Sequence, residues 1–120
     1  MDRISEMLQK LIPGMVGIFQ EPSMRIILYG SVARGTQTED SDVDIAVILP
    51  SYTEEEYDRM WDLIVDLQLE YDLVLSVLLI DADKFAKWEN VMPFYRNMKK
   101  DGVVLWPAAE DFARGQDLSG

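Results

Sequence analysis

Cysteine and histidine are both absent from the 120 residues, and that double absence removes several chemistries together. Without thiols there is no disulfide framework and no Cys nucleophile. Without imidazole there is no Cys/His zinc cage and no Ser-His-Asp triad. Acid–base or metal chemistry must therefore rest on carboxylates. Positive charge is also scarce, with 11 Lys and Arg against 22 Asp and Glu and a formal net charge of −11. That balance argues against direct binding to a nucleic-acid backbone, and a nucleotide would have to be held through cations. No apolar run approaches the roughly 18 residues of a membrane span. Asp2, Arg3, Glu6 and Lys10 interrupt the first dozen residues, so no signal-peptide core stands there. The expectation is a cytoplasmic protein with no membrane contact.

What is present is the balance of an ordinary globular chain, 48% hydrophobic and 28% charged, in a length suited to one core. A single domain is expected over residues 1–106, with a small, polar and loose tail over 107–120. Ile4, Met7, Leu8, Leu11 and Ile12 recur at helical spacing, and Pro13-Gly14 predicts the end of a helix over about residues 2–12. Arg25 to Tyr29 reads as a short buried strand that stops at Gly30-Ser31. Polar residues follow to Ser41. Asp42 to Leu49 then alternates, with Val43, Ile45, Val47 and Leu49 on one face and Asp42 and Asp44 on the other.

Ser51-x-x-Glu54 and Thr53-x-x-Glu56 are overlapping capping-box candidates for a long helix, with Tyr57, Met60 and Trp61 read as core. Leu73 to Ile80 has the near-continuous apolar pattern of a central strand, with Asp72 just before it. Asp81 caps a short helix through about Trp88, Pro93 starts another towards Gly102, and Val103 to Leu105 is a last short strand.

The chemistry concentrates between Leu28 and Ile45. Residues i and i+2 of a strand project from one face about 6.5–7 Å apart, so Asp42 and Asp44 hold two negative charges side by side. Repulsion raises one of their pKa values unless a cation intervenes. Mg²⁺ or Mn²⁺ suits the position, since either binds through one or two carboxylates plus substrate phosphates. A small-residue turn after a buried strand lets backbone N–H groups approach an anion; Ser31 adds a hydroxyl and Arg34 a planar fork for phosphate oxygens. A paired acid alone, or a Gly-Ser turn alone, is ordinary surface structure. With the turn after one strand, an interval of ten residues and the acids on the next strand, they place an anion cradle and a carboxylate pair within reach of one triphosphate.

This stretch resembles the minimal nucleotidyltransferases of the DNA polymerase beta superfamily, whose motif is written G-S-x-A-R-G…S-D-x-D. Gly30, Ser31, Ala33, Arg34, Gly35, Ser41, Asp42 and Asp44 match it, and the likeness extends to Pro93-Phe94-Tyr95-Arg96-Asn97…Gly102-Val103. The resemblance implies an α/β nucleotidyltransferase fold, a small mixed sheet with helices packed mainly on one face. It implies that Gly30, Ser31 and Arg34 bind the nucleotide's phosphates while Asp42 and Asp44 hold two Mg²⁺ ions. A third carboxylate on a neighbouring strand is expected at Asp72.

Larger members seat the acceptor with a second domain, for which 120 residues leave no room, so the acceptor is expected to come with a partner. Minimal members are commonly paired with a small helical HEPN protein in toxin–antitoxin systems. The implied activity is transfer of AMP from ATP to a hydroxyl of that partner. Transfer to a small molecule such as an aminoglycoside, and a non-catalytic partner-binding module, are the alternatives.

Overall fold

In the computed structural model, which describes residues 2–107, the first helix does not stop where proline and glycine predict. Met7, Leu11, Met15 and Phe19 recur every fourth residue and are all buried, and this stripe carries α1 (Arg3–Phe19) through Pro13. Pro13 and Gln9, whose carbonyl loses its helical donor, both lie on the exposed side, where water can replace the missing bond. Burial of one continuous apolar face outweighs the local break. Asp2 caps the start by accepting from the Ser5 N–H at 2.8 Å.

Strand β1 (Arg25–Tyr29) runs into a single-turn helix, α2 (Gly30–Arg34), and β2 (Val43–Leu49) returns antiparallel to β1. The long helix α3 (Glu54–Tyr71) starts on a complete capping box between Thr53 and Glu56. It leads to β3 (Leu75–Asp81), parallel to β2, as an α-helical crossover allows. Helices α4 (Ala82–Trp88) and α5 (Pro93–Asp101) follow, and β4 (Val103–Trp106) closes the unit antiparallel to β1. The sheet order is β3-β2-β1-β4.

Alternation along β2 divides the interior in two. Val43, Ile45, Val47 and Leu49 enter the larger core under α1 and α3. Ala46 and Ile48 enter a smaller one with Phe85 of α4 and Met98 of α5. The mixed α/β architecture agrees with the expected nucleotidyltransferase fold, with the two long helices on one face and two short ones over part of the other.

Two readings of apolar pattern need correction. The run from Leu73 to Ile80 is not a central strand, because β3 lies at one edge of the described sheet, with Ser76 and Leu78 exposed. Tyr57 and Trp61 are not core residues. Each is 38% exposed, and only Met60, Ile64 and Leu67 of α3 are fully turned inward. No described helix is long and apolar enough to cross a membrane. The tail expected at the C-terminus lies, from residue 108 on, outside the described residues.

Candidate active site

The strand register sets the site. Asp44 pairs with Tyr29 on one side and with Ser76 on the other, so these three side chains form a row across β1, β2 and β3. The row lies on the face that α4 and α5 cover only in part. Asp42 sits one residue before β2, exposed, and Asp44 is half-buried.

Above Asp44 the chain turns sharply from β1 into α2. Gly30 has a φ of +76°, and a Cβ built there would run into the Asp44 carboxylate. Two independent constraints therefore demand glycine: a left-handed backbone and close approach of main chain to a side-chain acid. The N-cap residue of α2, Tyr29, makes no side-chain capping bond, so the first-turn N–H groups, beside the half-buried Ser31, have no side-chain cap. Gly35, at φ +73°, ends that helix with its N–H on the Ser31 and Val32 carbonyls. The loop to β2 is held by Thr36 N–H on the Ser31 carbonyl at 2.9 Å, and by Thr38 N–H on the Ser41 hydroxyl at 2.9 Å. These bonds fix where Asp42 emerges.

The electrostatics follow from the packing. Burial and then the charge of Asp42 raise the Asp44 carboxyl above its ordinary value, while Arg34 pulls it down. The Tyr29 phenol is also raised, chiefly by burial and secondarily by Asp44. A half-buried acid that resists ionisation beside a second acid is a place where a cation is welcome.

A cleft of about 190 Å³ opens next to the turn, between Tyr29, Gly30 and Arg34 on one side and Phe94, Asn97 and Asp101 of α5 on the other. Phe94 stands edge-on to Tyr29 with ring centroids 5.7 Å apart. Its exposed ring offers an apolar surface, and Asn97 and Asp101, one helical turn apart, offer polar groups. Sequence reading did not place Asn97, Asp101 or Ser76 here. The register of β3 supplies Ser76, and only the packing of α5 against α2 brings the other two to the turn.

The structure brings together Gly30, Ser31, Arg34, Asp42 and Asp44, but it does not bring Asp72 to them. Asp72 is the left-handed C-cap of α3 at φ +53°, and its carbonyl accepts from Arg3 at 3.2 Å. The β3 position opposite Asp44 is four residues later, at Ser76. Among the described residues no three Asp or Glu side chains assemble into a metal cage. Two carboxylates remain, a donor set that fits a hard divalent ion arriving with triphosphate oxygens better than one held by protein alone. Asp72→Asn is therefore expected to leave nucleotide-dependent magnesium affinity within about twofold. Ser76→Asp, which puts a third acid in the row, is expected to tighten it by roughly tenfold or more. Calorimetric titration of magnesium in the presence of a non-hydrolysable triphosphate reads both, and the reverse order would return the third-acid role to Asp72.

Comparison with known proteins identifies the family. The family model described as nucleotidyltransferase domain matches residues 9–102. A candidate protein adenylyltransferase of Methanocaldococcus jannaschii is 37% identical over 82 residues, spanning 68% of this chain and 77% of that protein. A second candidate protein adenylyltransferase of the same organism is 35% identical over 66 residues, 52% of this chain and 45% of its own length. Among solved structures, a toxin–antitoxin crystal structure with AMP-PNP aligns over 92% of this chain and 88% of that one, at a TM-score of 0.51 and 24% identity. That likeness speaks for the fold.

Proposed function

The chain belongs to the nucleotidyltransferase domain family and is an enzyme of that class, and from that membership we propose that it transfers AMP from ATP to a Tyr, Ser or Thr hydroxyl of a partner protein. The partner is a small helical protein of the HEPN type, and the chain is the antitoxin half of the pair. The observation that carries the reading is the seating of Gly30 on the Asp44 carboxylate, with Asp42 and Arg34 alongside. It joins an anion-binding turn to an acid pair in one small volume. The adenylyltransferase names of the Methanocaldococcus jannaschii relatives support AMP as the group moved and a protein as its acceptor.

In this reading the N–H groups at the start of α2 and the Ser31 hydroxyl receive phosphate oxygens, and Arg34 offsets their charge. Asp42 and Asp44 are the residues that would hold Mg²⁺, two ions with Mn²⁺ as a substitute. When bound, these ions neutralise phosphate charge and acidify the acceptor hydroxyl. Phe94, Asn97 and Asp101 form the wall available to the nucleoside. The acceptor oxygen bonds to the α-phosphorus as the bond to the β-phosphate's bridging oxygen breaks, and pyrophosphate leaves. The hydroxyl proton passes to solvent or to the acid pair. The chain's contribution is position and charge more than covalent chemistry.

Incubation with each nucleoside triphosphate, magnesium and a HEPN-type partner, followed by intact-mass measurement of the partner and a pyrophosphate assay, tests the proposal. Expected is an AMP adduct formed from ATP with equal release of pyrophosphate. An unmodified partner bound stoichiometrically would replace catalysis with scaffolding, and modification only of small hydroxylated molecules would replace the acceptor class.

A further inference from the structure

Helix α3 carries a second surface that the transferase chemistry does not use. Tyr57, Trp61, Val65 and Leu69 follow one another every fourth residue and are 38%, 38%, 47% and 79% exposed. Tyr52 extends the row, stacked on Tyr57 with centroids 5.9 Å apart, and Tyr57 meets Trp61 edge-on at 6.1 Å. Beside this ridge runs another of the same period: Glu54, Asp58, Asp62 and Asp66, all exposed. Like charges four residues apart weaken a helix. Among the described residues the salt bridges are Lys10–Glu70 and Lys99–Glu89, so none of these four acids, nor Arg59 on the same helix, is paired with another described residue.

We infer that the two ridges form a docking surface for an α-helix of another polypeptide, one whose apolar stripe is flanked by Lys and Arg. The ridges follow the i±4 rows that interlock when two helices pack at about −50°. From Tyr57 to Leu69 they span about 18 Å, some three turns of a partner helix. Charge chooses the occupant. A second copy would bring the same acid ridge and a net charge of −11, whereas a basic flank neutralises the ladder and relieves its repulsion. The surface lies over the sheet face occupied by Val43, Ile45 and Val47, opposite the face of Asp44. A docked helix leaves the cleft at Gly30 open, and the inference does not rest on the transferase reading.

The test uses the full chain and a fluorescent peptide of roughly 18 residues, with leucines at helical spacing flanked by lysines, and a control with glutamate for each lysine. Anisotropy titration is expected to show the lysine peptide binding at least about tenfold more tightly than the control. Trp61→Glu is expected to weaken it about tenfold or more. Leu69→Glu, at a position too exposed to disturb the core, should weaken it about threefold or more. Replacing Asp58, Asp62 and Asp66 together by lysine should reverse the preference between the peptides. Equal binding of both peptides, or binding indifferent to Trp61→Glu and Leu69→Glu in chains with unchanged circular dichroism, overturns the inference. So does concentration-dependent dimerisation that Leu69→Glu abolishes, which would make a second copy the occupant. Transfer activity on the opposite face is read separately, so failure here leaves that reading intact.

Discussion

Asp44→Asn is expected to cut nucleotidyl transfer by on the order of a thousandfold while leaving the fold intact. The amide keeps the size and one acceptor oxygen of the carboxylate, so the row Tyr29–Asp44–Ser76 and the seat for Gly30 remain filled. What disappears is one of two negative charges at a position where no group of three acids able to hold a metal ion forms among the described residues. A transferase with three protein carboxylates keeps partial metal affinity after losing one, but here half the charge is gone. Pyrophosphate release with saturating magnesium and ATP checks the loss, and activity within tenfold of the native chain would remove Asp44 from the metal site.

The same substitution carries a stability signature of opposite sign. The Asp44 carboxyl is raised in the folded chain, first by burial and then by Asp42. A raised folded-state value favours the fold fully at pH below the unfolded pKa, and that contribution is lost as pH rises through the folded one. Ionised Asp44 is thus a cost at neutral pH, and Asp44→Asn removes it. Because the group is only half-buried, solvent screening keeps the gain below about 1 kcal/mol. Thermal melts without metal should show the variant slightly more stable at pH 7, with the difference vanishing on acidification through the carboxylate range. Magnesium with a non-hydrolysable triphosphate should reverse the order by stabilising only the native chain. A variant less stable than the native chain at neutral pH without metal would mean that the acid is satisfied by something other than a cation.

Local chemistry made some parts of this molecule legible in sequence. The limits of β1 follow from a β-branched run between a Pro-Ser segment and Gly-Ser, and the start of α3 follows from a capping box whose two hydrogen bonds are both present. Features that depend on which face meets which neighbour were less accessible. Pro13-Gly14 looks like a helix end until Met15 and Phe19 are seen completing one buried stripe. The apolar β3 looks central because hydrophobicity records burial somewhere, and the residues of its outer half, such as Leu78, are in fact exposed at an edge. Asp72 matched a third acid by its place in the sequence, yet a left-handed residue between α3 and β3 sets the register so that Ser76 faces Asp44. At the candidate site the Gly-Ser turn and the acid pair are separated by ten residues and were readable together. Asn97 and Asp101 reach the turn from α5 through tertiary packing alone.

Gly30→Ala and Gly35→Ala separate the two demands that a glycine can meet. Both residues have positive φ, +76° and +73°, so either alanine bears a conformational cost of about 1–2 kcal/mol. A Cβ at Gly35 meets nothing within 4 Å, whereas at Gly30 it occupies the place of the Asp44 carboxylate. Gly35→Ala should therefore lower stability by about 1 kcal/mol and reduce transfer only a few-fold. Gly30→Ala must in addition expel Asp44 from beneath the turn or lift the turn off β2, moving phosphate donors and metal ligand apart by an ångström or more. A displacement of that size costs catalysis a hundredfold or more, on the order of 3 kcal/mol. Chemical denaturation should show about 2–4 kcal/mol lost, the backbone cost plus the steric one. Combining Gly30→Ala with Asp44→Ala empties the contested space, so the double variant should regain about 1 kcal/mol relative to the sum of the single changes. Additive losses would mean that the glycine serves the backbone alone, and the coupling of turn to carboxylate on which the site is built would be absent.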